Sequence, residues 1–149
     1  MRWMKLLVLL WLGAALAARA ESAKIVKVLP HFLDEKGRHA LKPSLYERDA
    51  YQLHLRKNPQ LRSALRFDLL WKSATVQEVK LRLEVRGSLD GQVQQATLEK
   101  TFKQNGLFGN WCSVALEGDA YKKFGELTAW RATLWSGDKQ LAEQKSFLW

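Results

Sequence analysis

Cysteine is almost absent from this chain: Cys112 stands alone among 149 residues. One thiol cannot form an intramolecular disulfide, so no disulfide framework holds the fold. Cys112 is also too far from the N-terminus to carry a lipid. With Trp111 and Val114 beside it, it reads as a small buried apolar side chain. Histidine is scarce too, limited to His31, His39 and His54. No Gly-x-Ser-x-Gly elbow, His-Glu-x-x-His pair, glycine-rich phosphate loop or Cys-x-x-Cys pair occurs. The chain therefore reads as non-enzymatic and calls for no cofactor. No internal repeat or low-complexity tract interrupts it.

Long apolar runs are missing as well. The longest, Leu6 to Ala18, holds 13 residues, whereas a membrane-spanning helix needs about 20. It follows Arg2 and Lys5 and ends in Ala18-Arg19-Ala20, the small-x-small pattern of a cleaved leader. Residues 1–20 are read as a signal peptide and 21–149 as one domain, periplasmic or secreted, with no membrane span after cleavage. The whole chain carries +9. Losing Arg2, Lys5 and Arg19 leaves 21 basic residues against 15 acidic ones, a net +6. Outside the cytoplasm such a charge suits anionic envelope polymers, lipid phosphates or nothing specific, rather than nucleic acid, and its scatter along strands and helix reads first as a solvated surface.

Two-residue alternation dominates what is present. Leu65, Phe67, Leu69 and Trp71 alternate with Arg66, Asp68, Leu70 and Lys72. Val79, Leu81, Leu83 and Val85 alternate with Lys80, Arg82, Glu84 and Arg86. Each segment is a strand with one dry and one wet face. Further strands are expected at Ala23–Leu29, closed by Pro30, and at Gln94–Lys103, Trp111–Leu116, Leu127–Trp135 and Lys139–Leu148. Turns fall at Asp34–Gly37, Gly87–Gly91 and Ser136–Asp138. The expected core is Leu65, Phe67, Leu69, Trp71, Val79, Leu81, Leu83, Val85, Trp130, Ala132 and Leu134, with Trp111, Trp135 and Trp149 able to add to it. One helix spans Ser44–Lys57, opened by the capping box Ser44…Glu47 and stopped by Asn58-Pro59. Its expected packing face is Tyr46, Ala50 and Leu53, with Leu45 close by. About seven short antiparallel strands and one inserted helix (44–57) indicate an immunoglobulin-like β-sandwich.

Four segments together carry a likeness: Lys27–Asp34, Pro43–Tyr51, Tyr121–Gly125 and Ser146–Trp149. They resemble a group of short exported bacterial proteins with no assigned activity. The resemblance implies export and a sandwich of immunoglobulin or fibronectin-III type, and implies no catalytic residues.

The candidate binding residues are the aromatics Phe108, Trp135 and Trp149, whose flat rings can stack on sugars or on a protein partner. The expected function is a non-catalytic binding or interaction module of the cell envelope, with a protein or polysaccharide as ligand. The rival is a metal-dependent or hydrolytic enzyme using His31 and His39 across the Asp34–Gly37 turn, with Asp34 or Glu35 adding oxygen. Mass spectrometry of the exported protein should find a chain beginning at Glu21. An uncleaved chain in the inner membrane would refute the leader reading.

Overall fold

The computed structural model describes residues 20–106 and 108–149; the leader reading over 1–19 lies outside them. Among the described residues the fold is mainly β, with seven antiparallel strands in two sheets and two α-helices. In chain order these are β1 (Lys24–Asp34), α1 (Leu45–Lys57), β2 (Arg62–Lys72), β3 (Glu78–Leu89), β4 (Gln92–Lys103), β5 (Asn110–Glu117), α2 (Gly118–Lys122), β6 (Glu126–Ser136) and β7 (Lys139–Lys145). One sheet runs β1-β2-β5 and the other β4-β3-β6-β7. Among the described residues, no helix is long and apolar enough to cross a membrane.

Alternation builds the core. Leu65, Phe67, Leu69 and Trp71 from β2 form one buried cluster with Val79, Leu81, Leu83 and Val85 from β3 and Ala132 and Leu134 from β6. The two sheets thus share a single apolar layer. Trp130 packs half-buried against it, its ring edge-on to Phe67 with centroids 6.4 Å apart. Trp111 does not join the core. On β5 the inward positions go to Cys112, Val114 and Leu116, and this leaves Trp111 58% exposed.

Several boundaries differ from the sequence reading: β2 starts at Arg62 rather than Leu65, β7 ends at Lys145 rather than Leu148, and two others have clear causes. β1 runs through Pro30 to Asp34 instead of closing at Leu29, because β1 is an edge strand and an edge proline forfeits no ladder bond. β3 and β4 also run past Gly87 and Ser88, so the reversal shrinks to Asp90-Gly91, both at positive φ. This is the two-residue Asp-Gly hairpin whose twist matches its strands. Gly87 must stay glycine for another reason: a Cβ there would lie 2.6 Å from the Phe124 carbonyl oxygen.

The helix forms where expected but packs the other way round. Ser44 caps it, its Oγ accepting from the Glu47 N–H at 3.2 Å, while the Glu47 carboxylate lies 3.9 Å from Lys42. Leu45, Tyr46, Ala50 and Leu53, the expected packing face, are exposed, and Gln52 and Leu55 are buried instead. The reason is a set of hydrogen bonds at the free edge of β1. Gln52 Oε1 accepts from Phe32 N–H at 2.8 Å, and its Nε2 donates to Phe32 O at 2.9 Å and to His39 O at 2.8 Å. The amide behaves as one residue of an eighth strand. At the helix C-terminus, Arg62 donates to the carbonyls of Leu55 and Arg56, the first of which also accepts from Asn58 N–H at 3.3 Å.

Gln52→Leu keeps the volume but orphans three backbone groups. It should cost about 2–4 kcal/mol, a fall in melting temperature of roughly 10 °C. Leu53→Ala on the outward face should change stability by less than about 1 kcal/mol. Calorimetry on both variants checks the packing direction.

Candidate functional site

Two surfaces gather the candidate residues. The first is the outer face of the four-stranded sheet. Because Leu81, Leu83 and Val85 point inward, Lys80, Arg82, Glu84 and Arg86 point outward beside Trp135 and Arg131 of β6. Trp135 is half-buried; its indole N–H donates to Thr133 Oγ at 2.9 Å, and the Arg82 guanidinium lies 5.1 Å over its ring. Trp149 is half-buried too, with Arg86 at 3.8 Å and Arg131 at 4.9 Å over its ring.

The tail carrying Trp149 is fixed by backbone. Ser146 N–H donates to Trp130 O at 2.9 Å, Trp130 N–H donates to Ser146 Oγ at 3.0 Å, and Trp149 N–H donates to Ser146 O at 3.2 Å. Arg82 pairs with Glu99 at 2.5 Å and Arg131 with Glu84 at 2.7 Å. Among the described residues no carboxylate pairs with Arg86 or Lys80. Phe108 is apart from this face, on the β4–β5 connection, and is 97% exposed.

The second surface is a polar cluster on the outside of the three-stranded sheet. His31 and His39 do come together, with ring centroids 5.1 Å apart. Their acid is Asp68, not Asp34 or Glu35. His31 Nδ1 donates to Asp68 Oδ2 at 3.0 Å, Arg66 donates to the same oxygen at 2.9 Å, and Ser113 Oγ donates to Oδ1 at 2.5 Å. Burial alone would raise the Asp68 carboxyl, but these donors hold it well below the usual carboxylate range.

Asp34 is engaged in its own turn. Its Oδ1 accepts from Lys36 and Arg38 N–H, both at 2.9 Å, and its Oδ2 accepts from the Arg38 guanidinium and from the Tyr51 hydroxyl at 2.7 Å. Burial would raise this carboxyl; Tyr51 and Arg38 hold it below its ordinary range.

The hydrogen bonds of the cluster set what each of its side chains can do. Ser113 donates to Asp68, whose carboxylate is held well below its usual range and is therefore a weak base for activating a hydroxyl. Arg66 donates to His39 Nδ1 at 3.1 Å. A guanidinium has no acceptor, so that ring nitrogen must offer its lone pair to Arg66 and has none left for a metal. Among the described residues, no group of three His, Cys, Asp or Glu side chains is placed to hold a metal ion. His54 is exposed and stacks on Tyr51, centroids 6.0 Å apart. Cys112 is buried, and burial pushes its thiol up to about 12, which makes it a poor nucleophile. No protein-family model matches the chain, and no curated protein matches it.

The arginines of the outer face and the Arg66–Asp68–Ser113 group escaped motif reading because they conform to no motif. Strand alternation was the available signal: it sends every second residue of β2 and β3 outward.

Both aspartates have folded-state pKa values below their ordinary 3.8. Their stabilisation is complete above pH 3.8 and lost as the pH falls through the lower folded values. Asp34→Asn should lower stability at pH 7 by about 2 kcal/mol and flatten the loss below pH 4. Urea melts between pH 2.5 and 7 measure both.

Proposed function

We propose that this chain is an exported, non-catalytic binding module of the cell envelope, on an immunoglobulin-like sandwich, that holds an anionic polysaccharide on the outer face of its four-stranded sheet. The observation that carries the reading is Arg86 lying over Trp149 without a carboxylate partner, on the same sheet face as the Arg82–Trp135 stack. Of the three arginines stacked on these rings only Arg86 lacks a carboxylate of its own among the described residues, so a sugar carboxylate is its natural partner, and the indole area that the arginines leave uncovered can take sugar C–H groups. The strand grouping supports the immunoglobulin-like plan. First, second and fifth strands share one sheet, and third, sixth and seventh share the other, with the fourth strand beside the third.

A protein partner is the second reading. It draws on Phe108, and on Leu45, Tyr46 and Leu53, which leave the outward side of α1 apolar.

Retention on immobilised alginate, a carboxylated polysaccharide, compared with a neutral glucan, tests the proposal. Wild-type protein should be retained on alginate at low salt and released as salt rises. Arg86→Ala and Trp135→Ala should each weaken retention about tenfold with little change in melting temperature. Unchanged retention in both variants would refute this face. So would a stoichiometric protein partner that survives moderate salt and is lost on Phe108→Ala.

A further inference from the structure

We propose that residues 39–44, between the β1 turn and α1, form a latch that His39 keeps closed at neutral pH and releases in acid. Two bonds hold its first residue. His39 O accepts from Gln52 Nε2 at 2.8 Å, and His39 Nδ1 accepts from Arg66 at 3.1 Å. The second bond exists only while Nδ1 carries no proton, because the guanidinium can only donate.

The groups around His39 offer little to a cationic ring. His31 faces it from β1, Arg66 and Asp68 from β2, and Arg48 from α1, and Lys42 lies on its own segment. Ser113 of β5 reaches the cluster through Asp68. Asp68 is the one acid among them, and its Oδ2 already accepts from both His31 and Arg66. A proton on His39 Nδ1 therefore sets two donors and two positive charges against each other.

Burial first, then the charges of Arg66 and His31, keeps the imidazole below its ordinary 6.5. A lowered histidine contributes stability that is present above pH 6.5 and lost as the pH falls through the lower folded value. The turn before the latch stays shut in the same range, because Asp34 holds Lys36, Arg38 and Tyr51 with a carboxylate that remains ionised. Opening therefore starts after Arg38 and bares the Arg66–Asp68 side of the three-stranded sheet.

Backbone ¹⁵N relaxation, followed from pH 7.5 to 4.5, tests this. The order parameters of Ala40, Leu41 and Lys42 should fall from about 0.85, the value of rigid backbone, to below about 0.6 in acid while those of β3 and β6 hold. His39→Gln keeps an acceptor for Arg66 but cannot titrate, so its order parameters should be the same across the range. In the wild-type protein, the NMR titration of the His39 ring should share its midpoint with the loss of order. Equal pH dependence in wild type and H39Q would overturn the proposal, as would a ring titration that leaves the segment ordered.

Discussion

The two-residue alternation of β3 is the constraint on which the rest of the structure depends. Val79, Leu81, Leu83 and Val85 are each at most 1% exposed, and a shift of one residue would put Lys80, Arg82, Glu84 and Arg86 in their place. A buried, unpaired arginine costs far more than any turn or cap could return. β3 lies between β4 and β6, so its register orients both neighbours. Trp135 and Arg131 point outward because Leu134 and Ala132 must point inward. The arginine–tryptophan face is thus a by-product of core formation.

The three-stranded sheet solves a different problem. Its edge strand β1 exposes backbone groups that another chain could pair with. Pro30 blunts one position and Gln52 occupies another, at Phe32. α1 is consequently tied to the body by hydrogen bonds and by one buried leucine, Leu55, rather than by an apolar stripe. The arrangement leaves Tyr46 and Leu53 in water and places His39 against Arg66. Edge protection, the exposed side of α1 and the seat of His39 beside Arg66 all go with one glutamine facing inward.

Sequence patterning was a good guide where burial decides. The strands with strict alternation, β2 and β3, and the capped start of α1 at Ser44 could all be read from residue order, because local chemistry and tertiary structure agree there. The facing side of α1 could not. Periodicity assigns the apolar side inward, and nothing in the residues near Gln52 reveals that Phe32, twenty positions earlier, needs its amide. Trp111 misled for a similar reason: its size argued for the core, but strand phase outweighs size. The pairing of His31 with His39 across the turn was anticipated, whereas their acid partner, Asp68, lies on another strand and came into view only with β1–β2 pairing. Of the three aromatics, Trp135 and Trp149 sit under arginines that no spacing rule connects to them.

The claim at the centre of this account is that one face, ordered by the register of β3, is the contact surface. NMR chemical-shift mapping with short alginate oligosaccharides tests it most directly. The account predicts that the perturbed signals are the backbone amides of Lys80–Arg86 and Arg131–Trp135 and the indole N–H groups of Trp135 and Trp149. Perturbation confined to α1 from Leu45 to Leu53, or to the loop around Phe108, would contradict it.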